Sequence, residues 1–318
     1  MASENAESQF SSTNLSSTQF PSYIPTAPTS PTADSQPPLP LPPRSSPFAP
    51  IKTVLKTSDR TLSRLTAVLS TPAGQDSLLN TAYYTLTFLS ATINLTLESQ
   101  LESIAKVFAQ NASKALLPGE SVVATFQAPA IATYLVRAST AFKLLSARIS
   151  DYRTFVRMWG LLGIYAWAKS VYSNPPKDSI LRVIAYGQVG VNLAFQYIEN
   201  KAYLATHGIV SKPVELIGRE WMLSAKFFAA HIVLDFVRLW RVRTLWKTDV
   251  VAQDDKEGMV KREKEIETWK RQLIIDLCFA PMAVHWSRPE VVLSDLQVGL
   301  LGMISGGLGF RETWRKTA

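Results

Sequence analysis

Residues 131–163 carry a helical pattern that constrains the fold more than any other part of the chain. Apolar side chains recur there at alternating steps of four and three residues, which places them on one face of an α-helix. The stripe consists of Ile131, Leu135, Ala138, Phe142, Leu145, Ile149, Tyr152, Val156, Trp159 and Gly163. Several basic residues accompany it, and Asp151 is the only acid in the stretch. The pattern therefore predicts one long, basic, amphipathic helix.

Two interpretations of this helix are open. It is either a core helix of a bundle whose cations face water, or a helix that lies in a membrane surface. In the second case, burial of the large apolar side chains contributes at most on the order of 10 kcal/mol. Each cation near anionic lipid adds about 1 kcal/mol. Membrane insertion is then predicted for Phe142, Leu145, Ile149, Tyr152, Val156 and Trp159. Contact with lipid headgroups is predicted for Arg137, Lys143, Arg148, Arg153 and Arg157.

The charge balance of the chain fits an anionic partner. There are 33 Lys and Arg against 25 Asp and Glu, which gives a net charge of +8. Such a balance favours lipid headgroups or nucleic acid without choosing between them. A single cysteine, Cys278, excludes an internal disulfide framework and fits a reducing compartment. The opening MASENAESQF has no basic region followed by an apolar core, so we expect no secretory signal there.

The rest of the chain divides into a tail and a helical domain. Residues 1–50 are rich in Ser, Thr, Gln and Pro, so we expect them to be disordered. A helical domain is expected over residues 51–318, with a Pro/Gly break at residues 71–74. Residues 77–97 have no charge, but their many Thr, Ser and Asn favour a packed helix over a membrane crossing. Helices are also predicted at 180–205 and 221–246, and a charged exposed segment at 247–271.

The end of the chain has a different character, because residues 296–310 contain no charge and many glycines. Gly299, Gly302, Gly306 and Gly309 are spaced three, four and three residues apart. They form one smooth helical face that lets another helix approach closely in lipid. In a soluble protein, each glycine within a helix costs roughly 1 kcal/mol relative to alanine. Together with the basic and aromatic residues of 311–316, the pattern predicts a C-terminal transmembrane helix that oligomerises through its glycines. A Gly-rich loop is the alternative.

Residues that carry out catalysis or bind metals are sparse. The three histidines, His207, His231 and His285, have no metal-ligand spacing. Cys278 lies among apolar residues, where a buried and unreactive thiol is expected. No phosphate-binding glycine loop and no Gly-x-Ser-x-Gly motif is present. Asp235 and Asp276 interrupt apolar runs, and we expect them to pair with nearby arginines. The sequence therefore predicts no enzyme activity, no metal and no cofactor.

Several segments, taken in order, resemble the peroxin-11 family of peroxisomal membrane proteins, which elongate and divide the organelle. Residues 69–84 resemble the family's Gly-Arg-Asp-Lys-Leu-Leu start, with Gln75 in place of arginine and Ser77 in place of lysine. Residues 144–161 are similar to the helix that precedes the family's first hydrophobic segment, particularly in gamma-type members. Helix 180–205 and the Gly-rich terminus match in position. The likeness covers residues 55–318 and suggests a fungal-like member with an added N-terminal tail.

The resemblance implies an all-α, membrane-associated bundle at the peroxisomal membrane. It also implies self-association, association with related family members and recruitment of dynamin-type fission machinery, with anionic phospholipid and not nucleic acid as the other partner. The first hypothesis is that helix 131–163 inserts into the membrane, elongates it and promotes peroxisome fission and proliferation. The second is a solute channel lined by helices 180–205, 222–246 and 291–310. The third is a soluble helical adaptor or nucleic-acid binder that uses the same basic face.

Overall fold

The structure, a computed structural model, describes residues 49–115, 130–248 and 256–317. In these ranges the regular secondary structure is α-helical throughout, which confirms the predicted all-α fold. The helices are α1 (Ala49–Leu69), α2 (Pro72–Ala115), α3 (Ala130–Arg157), α4 (Gly160–Ser173), α5 (Ser179–Thr206), α6 (Val214–Thr248), α7 (Lys256–Trp286) and α8 (Asp295–Arg315). The chain divides into two units, Met1–Lys52 and Thr53–Ala318, and the bundle belongs to the second. The predicted disordered tail lies outside the described residues except for the start of α1.

The bundle is a ring of helices. α3 packs on α2, α2 on α8, α8 on α7, α7 on α6 and α6 on α5. A much smaller contact between α3 and α5 closes the ring, and α4 packs on the flank of α5. The most extensive contacts are those of α2 with α8 and of α5 with α6. α2 therefore lies between two neighbours, α3 and α8, and holds them on either side.

Local sequence signals set most of the helix ends. α2 begins at Pro72, where a missing backbone N–H costs nothing because the first turn has no acceptor for it. α4 ends before Asn174-Pro175-Pro176, since proline disfavours helical conformation in the residue before it. The Asp178 carboxylate caps α5 by accepting a hydrogen bond from the Leu181 amide at 3.0 Å. A hydrogen bond from Arg241, together with this cap, lowers the pKa of Asp178 to about 2.

The predicted continuous helix over 131–163 is two helices. α3 ends at Arg157, and α4 begins at Gly160 after a turn at Met158 and Trp159. The Asn200 side-chain amide donates to the Met158 carbonyl at 3.0 Å, so a carbonyl group at the break has a partner. A Cβ at residue 160 would lie 2.9 Å from Gln196 Oε1, so the Gln196 side chain would have to shift to admit any residue larger than glycine there. Side chains of α5 therefore support the break.

The glycines of α8 pack against α2 of the same chain. A Cβ at Gly299 would lie 2.6 Å from the Phe88 backbone nitrogen, and one at Gly302 would overlap the Tyr84 ring. Gly306 also faces α2, and Gly309 lies at the edge of the contact. The face predicted for oligomerisation is thus the face on which α2 approaches α8. The glycines do form a face for close helix packing, as predicted. The helix that packs on this face is α2 of the same chain.

The predicted C-terminal transmembrane helix is not supported. Within residues 49–115, 130–248 and 256–317, no helix combines the length and the apolarity that a membrane crossing requires. In α8 the uncharged run, residues 296–310, is shorter than the roughly 20 residues of a typical spanning helix. The predicted helices at 180–205 and 221–246 are present as α5 and α6. Of the predicted charged segment 247–271, residues 249–255 lie outside the described residues, residues 247 and 248 end α6, and residues 256–271 belong to α7.

The described interior is unusually polar, while the surface carries many large apolar side chains. Buried polar or charged residues are Ser90, Ser139, Ser146, Gln188, Gln196, Glu199, Glu220, Ser224, Asp235, Asp276 and Ser305. Exposed large apolar residues occur on every helix described from α2 to α8. Buried polar groups and exposed apolar groups are the informative deviations from an ordinary soluble fold. They direct attention to the outer surface of the bundle.

Candidate membrane-contacting surface

α3 turns its small polar residues toward the bundle. Ser139 and Ser146 are the buried residues of this helix. The Ser139 hydroxyl donates to Asn94 Oδ1 at 2.6 Å, and the Ser90 hydroxyl donates to the Ser139 carbonyl at 3.0 Å. Small side chains allow α2 and α3 to approach closely, and the hydrogen bonds satisfy the buried polar groups. The inner face of α3 is therefore polar, which is the reverse of an ordinary amphipathic helix in a soluble bundle.

The opposite side of α3 carries large apolar side chains that no described helix covers. With a rotation of about 100° per residue, these side chains project away from Ser139 and Ser146. We call them the outer face of α3, and they are Tyr134, Leu144, Leu145, Tyr152 and Phe155, each of them at least half exposed. Trp159 follows at the break and is 70% exposed. Large apolar side chains grouped on one exposed side of a helix mark a candidate site of interaction with a membrane or a protein.

The exposed apolar surface continues along α4. Leu162, Tyr165 and Tyr172 are all exposed, and Tyr172 is 79% accessible. Tyrosine suits a membrane interface because its ring is apolar while its hydroxyl keeps contact with water. Val171 is the one buried residue of α4. α3 and α4 therefore present apolar side chains on both sides of the break between them.

The residues predicted to insert into a membrane fall into two groups. Leu145, Tyr152, Val156 and Trp159 are exposed. Phe142 and Ile149 are half-buried, on the edge of α3 that turns toward the bundle. The predicted apolar stripe therefore lies partly toward the bundle, and the exposed face of α3 is turned around the helix axis relative to it. Tyr134, Leu144 and Phe155 were missed for that reason. The buried serines, seven residues apart on one helical face, are the sequence signal that indicates the correct rotation.

The five predicted headgroup-binding cations are separated by the fold. Arg153 is 11% exposed and donates to Asp76 at 2.8 Å. Arg157 lies 3.0 Å from the buried carboxylate of Glu199. Both of these arginines serve ion pairs within the chain.

The other three cations remain at the surface. Lys143 is exposed and lies 3.9 Å from Asp295, which is also exposed. Arg137 and Arg148 are exposed and lie among the side chains of the outer face of α3.

The histidines and the cysteine have structural surroundings. His207 Nε2 lies 3.1 Å from Asp151 Oδ1, and His231 Nδ1 lies 2.8 Å from the Asn192 amide. His285 Nδ1 accepts hydrogen bonds from the backbone amides of residues 292 and 293. Cys278 is buried, and burial raises the pKa of its thiol. Within the described ranges, no group of three or more His, Cys, Asp or Glu side chains is placed to hold a metal ion.

A family model described as "Peroxisomal biogenesis factor 11 (PEX11)" matches residues 128–314. The match covers more than half of the chain and extends from the start of α3 to the end of α8. It includes the outer face of α3, the break after Arg157 and the glycines that pack on α2. No curated protein and no solved structure matches the chain significantly.

Proposed function

Because the chain belongs to the peroxisomal biogenesis factor 11 family, whose members are peroxisomal membrane proteins involved in peroxisome proliferation, we propose that it remodels that membrane by inserting the outer face of α3. This is a family of biogenesis factors and not a known enzyme family. The proposal concerns the way in which the chain acts on the membrane. One leaflet receives the apolar side chains of α3, expands in area and curves.

The observation that carries the proposal is the inverted polarity of α3. Its serines are buried against α2, while its large apolar side chains are exposed. Full burial of a large apolar side chain contributes about 1.5–3 kcal/mol. Because the outer-face residues are about half exposed, their insertion contributes on the order of 5 kcal/mol in total. Arg137 and Arg148 add about 1 kcal/mol each at an anionic surface. Apolar insertion therefore drives binding, and the cations favour anionic lipid.

The proposed activity requires many copies on one membrane. Each inserted α3 expands one leaflet, and a high local density of copies converts that expansion into elongation. The proposal further includes that the chain associates with copies of itself and with related family members. It also includes that the chain recruits fission machinery of the dynamin type. Because α2 covers the glycines of α8, copies would associate through other surfaces. Exposed apolar side chains such as Val183 on α5 and Trp240 on α6 offer such surfaces.

The decisive experiment removes the outer face without touching the packing of α3. We expect the triple variant Tyr134→Ser, Leu144→Ser, Tyr152→Ser to bind vesicles of anionic phospholipid about 100-fold more weakly, given the burial lost. It should also lose vesicle tubulation. Its thermal midpoint should stay close to that of the unmodified chain, because the three side chains are exposed.

A matched control changes three exposed apolar residues elsewhere. Leu101, Ile104 and Val107 lie on the charged extension of α2, away from α3's outer face, and are also exposed. Their replacement by serine should leave vesicle binding and tubulation unchanged. If the α3 triple variant folds and still binds and tubulates vesicles as the unmodified chain does, insertion of α3 is excluded as the mechanism.

A further inference from the structure

Two buried carboxyl groups meet where α6 packs on α7. Asp235 of α6 and Asp276 of α7 are each 5% exposed, and their side chains lie within hydrogen-bonding distance of each other. We call these two residues the acid pair. An arginine partner was expected for both of them. Asp235 has one in Arg238, whereas the close neighbour of Asp276 is another acid.

The donors around the acid pair show which member is ionised. Arg238 donates to both oxygens of Asp235, at 2.6 and 2.9 Å, and Gln188 of α5 donates to the same carboxylate at 2.8 Å. Hydrogen bonds of this kind favour the charged form of a carboxyl group. Asp276 receives a hydrogen bond on Oδ1 from Gln272, at 2.9 Å. Asp235 is therefore the ionised member of the pair.

The second oxygen of Asp276 locates a proton. Asp276 Oδ2 is buried, and no donor in the described part of the chain reaches it. Two ionised carboxylates can only accept hydrogen bonds, so their contact is favourable only when one of them holds a proton. A protonated Oδ2 is itself a donor, and the Asp235 carboxylate beside it is an acceptor. The buried oxygen thus lacks a donor because it carries the proton that the pair shares.

The surroundings of the acid pair make its charge important for packing. α6 contacts α7 less extensively than it contacts α5. Two clefts, of about 690 and 470 Å³, reach the network, and Arg238 and Gln272 line both of them. A small separation of α7 from α6 would therefore admit water to the carboxyl groups. An ionised Asp276 would gain hydration in that separated state, which the packed state denies it.

We propose that the acid pair shares one proton, that this proton holds α7 on α6, and that its loss as the pH rises loosens α7. With the proton in place, the pair carries one negative charge, which Arg238 balances. Without the proton, two buried negative charges share one arginine, and this arrangement is unfavourable. The inference concerns the contact between α6 and α7 and is independent of the proposed insertion of α3.

The pKa values of the acid pair give the direction of the effect. Burial and the neighbouring Asp235 raise the pKa of Asp276 to about 7, whereas an exposed aspartate has a pKa of about 4. Protonation therefore favours the packed state, and this advantage is lost as the pH rises from about 4 to about 7. For Asp235, hydrogen bonds from Arg238 outweigh the effect of burial and lower the pKa to about 2. Asp235 thus stays ionised over the same range.

The other titratable groups near the acid pair would not imitate this effect. Burial lowers the pKa of His231 on α6, so its protonation would loosen the contact as the pH falls, which is the opposite direction. Tyr83 and Tyr84 of α2, and Cys278 of α7, have pKa values raised by burial and are neutral near pH 7.

The charged groups that the neighbouring helices direct toward this part of the bundle form ion pairs. These pairs are Glu312 of α8 with Arg271, Arg315 of α8 with Glu267, Arg157 of α3 with Glu199 of α5, and Arg153 of α3 with Asp76 of α2. Asp276 is therefore the group whose titration near pH 7 separates α7 from α6.

The variant Asp276→Asn provides the first test. Asparagine keeps the shape of the protonated acid and donates to Asp235, but it cannot lose that proton. Hydrogen exchange of the α7 backbone amides is measured for both full-length chains in discs of neutral lipid. Comparison at equal pH cancels the intrinsic pH dependence of exchange. The exchange rate of the unmodified chain relative to the variant should grow more than about tenfold from pH 5 to pH 7 and then level off.

A matched control and one opposing result define this test. Asp295→Asn changes an exposed acid of α8 and should exchange like the unmodified chain at each pH. A ratio of exchange rates that stays constant from pH 5 to pH 7, between the unmodified chain and a folded Asp276→Asn variant, would overturn the proposal.

Infrared spectroscopy tests the shared proton itself. The difference spectrum between pH 6 and pH 8 should show the loss of a protonated carboxyl group in the unmodified chain and no such loss in Asp276→Asn. In Asp235→Asn the like charge is gone and Arg238 can pair with Asp276, so the proton should be lost at lower pH. If Asp276→Asn does not fold, the spectra of the unmodified chain and of Asp235→Asn decide. Absence of a protonated carboxyl group at pH 6 in the unmodified chain would exclude the shared proton.

Discussion

α3 and α8 both pack against α2, and they do so in opposite ways. α8 uses glycines, which remove the side chains between the two backbones and place Tyr84 and Phe88 directly over them. α3 uses hydrogen-bonded serines and leaves its large apolar side chains exposed. Sequence patterns suggested a lipid-facing role for both helices. In both helices the face that packs against α2 is the one with the smallest side chains, and the position of the large apolar side chains does not identify it.

The strongest test of this comparison is on the α8 side. Gly302→Val should destabilise the chain by more than about 3 kcal/mol or prevent folding, because overpacking costs 1–3 kcal/mol even where neighbours can move. The buried Tyr84 ring has little room to move. Unfolding in denaturant measures the effect.

Gly307 provides the control for that prediction, because a Cβ at this position of α8 would contact nothing within 4 Å. Gly307→Ala should stabilise the helix by up to about 1 kcal/mol, since alanine is the better helix former. Equal destabilisation by the two variants would mean that α8 does not pack on α2 through Gly302.

The second test compares the stability effects of two arginines of α3, one that pairs with a buried carboxylate and one that is exposed. Arg157→Ala removes the partner of the buried Glu199 carboxylate and should cost about 2–3 kcal/mol. We expect a value at the low end of the range for buried pairs, because the Arg157 side chain is itself 37% exposed. Arg148→Ala, on the exposed side, should change the free energy of unfolding by less than about 0.5 kcal/mol. A larger loss for Arg148 would reverse the assignment of the two faces.

The third test concerns the serine contact between α2 and α3. Ser139→Ala leaves Ser90 and Asn94 without this partner and should cost about 1–2 kcal/mol. Vesicle binding should not change, because Ser139 is on the inner face. Thr140→Ala, at the exposed neighbouring position, is the control and should be nearly neutral in stability. Weaker vesicle binding by a folded Ser139→Ala variant would contradict the assignment of an inner face.

The smallest expected effect is electrostatic. Arg148→Gln should weaken binding to anionic vesicles about fivefold, which corresponds to about 1 kcal/mol per cation at the surface. Arg137→Gln should act in the same way, and both variants should bind neutral vesicles like the unmodified chain. Salt should reduce the affinity of the unmodified chain for anionic vesicles without abolishing it. Complete loss of binding in salt would indicate that charge, and not apolar insertion, drives the interaction.

The parts of the fold that could be predicted are those set by local signals. Proline marks the end of α4, and helical periodicity predicted α5 and α6. The predicted break at residues 71–74 is shorter in the structure, because α2 already begins at Pro72. The break after Arg157 could not be predicted, because the side chains that support it, Gln196 and Asn200, belong to a different helix.

The candidate site was partly predictable for the same reason. The sequence indicated an exposed apolar face on α3 but not its rotation, which depends on the serine contacts with α2. Arg153 and Arg157 were expected to contact lipid, and their partners, Asp76 and Glu199, lie on other helices. The glycines of α8 predicted a close helical neighbour, and that neighbour is far away in the sequence. Local patterns indicate that a contact exists, whereas its partner is decided by the tertiary fold.

The inverted polarity of α3 also affects how the protein behaves once it is removed from lipid. In aqueous buffer the exposed rings and aliphatic chains are most readily shielded by another molecule of the same protein. Stoichiometries measured in buffer alone would then reflect the missing bilayer and not the native assembly. Light scattering or crosslinking should therefore be carried out on chains reconstituted in discs or vesicles, where the proposed insertion would already cover the apolar side chains.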